Sequence, residues 1–214
     1  MAAWCQNSEV IVGPVREVAI LYLDIYRWLQ EYEPEFSGVI PGTRLSNVLQ
    51  GAGLESLPCN SGVFAETPDL RRCNDNSNQA LMVFVTETPW EPIPEAWREI
   101  VRLRAPHCQY YYISVCDETN QFYKYDPTGE YFPEKYYING MQDDPERFSK
   151  ALKDICGVAY EEEDLLQLLR KVLQQDTNLQ DMIQTFNNVY CFDSRDDSDG
   201  ENYLHVYEFE EEEV

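Results

Sequence analysis

The run Ala80-Leu-Met-Val-Phe-Val85 is the strongest constraint on how this chain can fold. It has the length of a strand and no polar face, so it belongs in a sheet covered on both sides rather than at an open surface. Two amphipathic segments can supply the cover. Val18, Leu21, Tyr22, Ile25, Trp28 and Leu29 recur at three- and four-residue spacing, which predicts a helix over 15–32 that stops near Pro34. Ala96, Trp97, Ile100, Val101 and Leu103 repeat in the same way over 94–104, entered through Pro92 and Pro94 and closed before Pro106.

Four further strands surround these helices. Residues 8–12, Ser-Glu-Val-Ile-Val, end at Gly13-Pro14; residues 36–40 precede Pro41-Gly42; residues 109–116 carry Tyr110-Tyr-Tyr-Ile113 and lead by a polar turn into 121–125. Residues 43–78, rich in Gly, Pro and a cluster of Asn, Asp and Ser, read as an insertion with short pieces of structure. The order strand–helix–strand, insertion, strand–helix–strand predicts an α+β fold with a ferredoxin-like split βαβ sheet and both helices on one face. On this reading residues 1–142 form the core, with one more strand at 134–138, and residues 143–214 form an acidic helical and hairpin extension packed on it. Helices are expected around Phe148 to Ile155, Leu165 to Leu173 and Leu179 to Phe186, and a hairpin from 189–192 and 203–209 around a polar loop.

The chain carries 39 acidic and 16 basic residues, a net charge of −23. That balance repels phosphates and anionic lipid, so direct nucleic-acid binding and membrane association are excluded as expectations. Residues 143–214 hold 20 acidic and 6 basic side chains, net −14, which makes them the acidic pole. Glu161, Glu162, Glu163, Asp164, Asp196, Asp197, Asp199 and Glu201 stand out as carboxylates expected on ordered elements, whereas the tail from Glu210 to Val214 is expected to fray. These eight are the candidate partner-binding residues, able to imitate a phosphate backbone toward a basic protein.

Other chemistry is sparse. Seven cysteines form an odd set without a CxxC pair, which favours free thiols in the cytoplasm over a disulfide framework. No cysteine has another within five positions, so no local zinc knuckle is expected, and no metal or cofactor is called for. His107 beside Cys108 is a weak Cys–His candidate, because neighbours on a strand face opposite ways. The 193–201 loop lacks the ligand order of an EF-hand, and Gly51-Ala-Gly53 lacks the Lys and third Gly of a phosphate loop. Tyr110-Tyr111-Tyr112 is expected to alternate between core and surface rather than to stack on bases.

Trp4-Cys5-Gln6-Asn7, the Val-rich strand and Gly13-Pro14 together resemble the start of YubB-like proteins. Phe84-Val-Thr-Glu-Thr-Pro-Trp90-Glu-Pro92 and Val39-Ile40-Pro41 resemble later parts of the same family, although a Trp-Gly-Thr-Lys-Trp segment typical of it has no counterpart in 43–78. The resemblance implies a ferredoxin-like domain and an origin on a plasmid, phage or conjugative element. It implies no reaction. The expected function is therefore a non-enzymatic accessory protein, an anti-CRISPR or anti-restriction inhibitor acting on a basic host protein such as a nuclease. An alternative is a toxin-neutralising immunity protein, since residues 123–137 resemble the hairpin of acidic SUKH-type proteins.

Overall fold

The computed structural model describes residues 3–31, 43–54, 62–73, 78–142, 150–192 and 202–212. These residues form a mixed α+β structure with two sheets, divided into two compact units: Met1–Pro127 with Glu211–Val214, and Thr128–Glu210.

In the first unit the strands expected at 8–12, 80–85, 109–116 and 121–125 share one sheet. β1 (Trp4–Pro14) lies between β3 (Gln79–Pro89) and β4 (Gln109–Cys116), antiparallel to both, with Ile11 opposite Met82 on one side and Tyr110 on the other. β5 (Gln121–Tyr125) extends the sheet beyond β4, and β2 (Val63–Arg72) closes it beyond β3. Cross-strand neighbours share a face, so Ile11, Met82, Phe84, Tyr110 and Tyr112 all point the same way. They form one core with Val18, Leu21 and Ile25 of α1 (Val15–Glu31) and with Ala96, Trp97 and Ile100 of α3 (Pro94–Arg104). Both helices therefore cover one face of the sheet. Pro94 suits the first turn of α3, and Arg102 and Arg104 in its last turn complement the helix dipole.

Residues 36–40 lie outside the described residues. One feature departs from the sequence reading: the strand beside β3 comes from the supposed insertion. β2 reads as a loop because it contains Pro68 and mostly exposed polar side chains; an edge strand tolerates both, and register shifts between Phe64 and Glu66 and between Glu66 and Asp69 interrupt its ladder. The insertion also contains α2 (Leu45–Ala52), which buries Leu45, Val48, Leu49 and Ala52.

In the second unit β6 (Tyr136–Gln142) pairs along its whole length with β9 (Asn202–Glu208), flanked by β7 (Val158–Tyr160) and β8 (Cys191–Phe192). α5 (Glu162–Leu173) and α6 (Leu179–Val189) bury Leu165, Leu169, Met182 and Phe186 against Ile138, Leu204 and Val206. The short α4 (Lys150–Lys153) precedes β7. The boundary thus falls after Pro127, not after residue 142, because β6 finds its partner in β9 and not in the first sheet. Residues 123–137 consequently run from β5 of one sheet into β6 of another and make no hairpin.

Gly51 shows how tightly α2 is seated. A methyl group there would overlap the Trp28 indole of α1, while Arg104 caps the arrangement, its Cζ 5.2 Å from the Trp28 ring centroid and its Nη2 donating to the Gly51 carbonyl at 3.3 Å. Helix propensity alone would make Gly51→Ala stabilising by about 1 kcal/mol. Overpacking costs about 1–3 kcal/mol and works in the opposite direction. Thermal unfolding of Gly51→Ala should therefore show a lower Tm than wild type; an unchanged or higher Tm would mean that the α1–α2 contact yields easily.

Candidate functional site

The helix-facing row of β1 is apolar at Ile11 and becomes polar toward Trp4. Cys5, Asn7 and Glu9 are all buried there, and their neighbours on the flanking strands are polar too: Thr86 and Thr88 on β3, Ser114 and Cys116 on β4. Each polar group has a partner. The Asn7 amide donates to Thr86 Oγ1 at 3.2 Å and Thr88 Oγ1 at 3.0 Å, and its Oδ1 accepts from Ser114 at 2.7 Å. Glu9 accepts from the Thr86 hydroxyl at 2.8 Å and the Tyr110 hydroxyl at 3.0 Å. Burial pushes the Glu9 carboxyl up to about 8, against the lowering effect of those two hydrogen bonds, so the group holds its proton at neutral pH. Tyr110 is held well above the ordinary phenol range by burial and by Glu9.

Cys5 and Cys116 end this row, one step beyond the Gln6–Val115 pair, and are joined in a disulfide. This corrects the expectation of free thiols. The pairing spans 111 residues, a separation at which no sequence spacing signals a bond. Among the described residues Cys73 and Cys108 are free thiols, and Cys156 Sγ lies 3.9 Å from the Gly140 carbonyl.

The same end of the sheet brings Trp4 together with the segment around Trp90. Trp4 lies opposite Pro89, and the Trp90 N–H donates to the Ala3 carbonyl at 2.8 Å. Trp4 and Trp90 are both exposed, and Trp90 has a φ of 73°, in the left-handed region that bulky residues rarely adopt.

The residues singled out from sequence fare differently. Glu161 to Asp164 are exposed at the start of α5, where Glu161 is the N-cap residue and the next three carboxylates complement the positive end of the helix dipole. Glu162 pairs with Lys135 at 3.3 Å, and Glu163 accepts from Gln167 at 3.2 Å. Asp196, Asp197, Asp199 and Glu201 lie outside the described residues. His107 and Cys108 do not form a nucleophile and base: His107 Nδ1 sits 2.7 Å from Glu17 Oε1, and burial pushes the Cys108 thiol up to about 11. Tyr110 and Tyr112 enter the core while Tyr111 faces the other way, half-buried.

Residues 210–212 of the tail are ordered against the first sheet. β10 (Glu210–Glu211) joins the first sheet beside β5, and Glu212 contacts Arg98 and Tyr112. Sequence reasoning missed this pairing because nothing local links residues 98 and 212. The buried Glu9 had a signal: period-two alternation puts it on the same face as Ile11.

The raised carboxyl of Glu9 makes stability depend on pH. Between about 4.5 and 8 the unfolded chain ionises this group while the folded chain keeps it protonated, so the folded state loses ground as pH rises. Glu9→Gln keeps a neutral, hydrogen-bonding side chain and removes that loss. Relative to wild type, the variant should gain stability on going from pH 5 to pH 8, by on the order of 4 kcal/mol at the upper end. Parallel Tm–pH curves for the two proteins would show that Glu9 ionises normally.

No protein-family model, no curated protein and no solved structure matches this chain.

Proposed function

We propose that this protein is a non-enzymatic accessory protein of a mobile genetic element, an anti-defence inhibitor whose acidic surface docks on a basic host protein such as a nucleic-acid-binding nuclease. The observation that carries this reading is the start of α5, where four exposed carboxylates from Glu161 to Asp164 are held on a helix anchored by the buried Leu165 and Leu169. Carboxylates in fixed positions can match the spacing of cations on a partner, which a mobile tail cannot do without an entropic cost. They belong to a unit, residues 128–210, that holds 19 acidic and 7 basic side chains.

The polar groups of the first unit support the same reading. Asn7, Glu9, Thr86, Thr88 and Ser114 are buried and hydrogen-bonded to one another, so they serve the sheet. A ferredoxin-like assignment for this unit is supported by the strand order β4-β1-β3-β2 and by the two helices on one face. Among the described residues no helix is long and apolar enough to cross a membrane. A cytoplasmic setting goes with the proposal. Complete burial of Cys5 and Cys116 would then shield their bond from exchange with small thiols. The immunity-protein alternative gains no support, because residues 123–137 do not form the hairpin on which it was based.

The test is a pull-down from a bacterial host followed by association kinetics across a salt series. Replacing Glu161, Glu162, Glu163 and Asp164 by Lys as a group should slow association on the order of tenfold or more at low salt and change dissociation less. Rates that respond to neither salt nor charge reversal would remove the acidic-surface reading.

A further inference from the structure

Glu212 occupies a site suited to a carboxylate. After β10, the Glu212 N–H donates to the Lys124 carbonyl of β5 at 2.9 Å. The Glu212 Oε2 atom receives the Arg98 guanidinium and, at 3.1 Å, the Tyr112 hydroxyl. Arg98 is also placed from behind, its Cζ 5.2 Å from the Tyr125 ring centroid. The carboxylate is thus met by a guanidinium and a phenol, while the main-chain N–H of the same residue is met by a strand carbonyl.

A cleft of about 300 Å³ adjoins this contact, and Arg98, Arg102, Tyr110, Tyr111 and Tyr125 are among the residues that line it. The register explains its position. β5 ends at Tyr125, opposite Tyr112, while β4 continues back through Tyr111 and Tyr110 to Gln109, so the sheet has a step beside Tyr125. The Arg98 guanidinium and three phenol rings border that step in a chain of net charge −23, with Arg102 beside them held by Glu99 at 2.6 Å. Guanidiniums on aromatic faces favour an anion with some apolar body, and extended peptides often dock beside strands.

The hold of the tail is modest. β10 is two residues long, and the Arg98 and Glu212 side chains remain 27% and 31% exposed, so solvent screens their attraction.

We propose that Arg98, Tyr112 and the adjoining cleft form a binding site for an acidic peptide segment of a partner, with Glu212 as a built-in occupant that the segment displaces. A peptide is favoured over a small anion because Glu212 is held by its main-chain N–H as well as by its carboxylate. The site is separate from the carboxylates of α5, and either proposal can fail without the other.

The probe is a fluorescent peptide of residues 208–214, Glu-Phe-Glu-Glu-Glu-Glu-Val, titrated by anisotropy into three proteins: the full chain, Glu212→Gln, and a chain ending at Glu210. The shortened chain should bind on the order of tenfold more tightly than the full chain, since the competing charge-assisted contact is gone. Glu212→Gln should fall between them, and Arg98→Gln in either altered chain should lose on the order of tenfold. Should the shortened chain fail to fold, as judged by circular dichroism, Glu212→Gln carries the comparison with the main-chain bonds of the tail kept. Equal binding by the full chain and Glu212→Gln, or indifference to Arg98→Gln, would overturn the site. Displacement of the probe by inorganic phosphate as readily as by unlabelled peptide would overturn the peptide assignment.

Discussion

Asn7 fixes the central sheet. Its amide donates to two threonines of β3 and its carbonyl accepts from a serine of β4, so one side chain ties three strands together in the dry layer beneath the helices. A slip of one residue would turn Asn7 and Glu9 to the opposite face and leave Thr86, Thr88 and Ser114 without these partners. Each orphaned group costs about 1–3 kcal/mol, enough in total to rival the stability of an ordinary domain. The register set in this way has further consequences. It places Cys5 opposite Cys116, turns Tyr110 toward Glu9, and turns Tyr112 toward the helix layer where it reaches Glu212.

What could be read from sequence followed from burial. The run at 80–85 and the helical stripes of 15–32 and 94–104 are apolar because they are covered, so β1, β3, β4, α1 and α3 were legible as elements and as neighbours. β2 was not, because an edge strand has one open side and needs little apolar patterning; its Pro68 and run of exposed residues resemble a loop. The unit boundary was misplaced for a related reason. Residues 134–138 look equally suited to either sheet, and only the pairing of β6 with the distant β9 decides between them. Of the candidate sites, Glu161 to Asp164 were legible as an exposed group. The Cys5–Cys116 bond and the Arg98–Glu212 contact depend on long-range topology, to which residue spacing is blind.

Formal charge is a poor guide to where this protein is electrostatically active. Glu9 counts as one of the 39 acidic residues, yet desolvation outweighs its two hydrogen bonds and keeps it neutral at pH 7. Glu212 shares its field with Arg98, and the carboxylates of α5 offset part of their repulsion against the helix dipole. The three cases differ in solvent access rather than in chemistry: fully buried, half-exposed and exposed. A partner approaching the first unit therefore meets less negative potential than a residue count suggests, and beside the aromatic cleft it meets Arg98 paired with Glu212 and Arg102 paired with Glu99. The strongest outward field comes from carboxylates that are both exposed and fixed, which among the described residues include the start of α5. On the two proposals together, one highly acidic chain would recognise an acidic and a basic partner, because local geometry rather than net charge decides which field each of them meets.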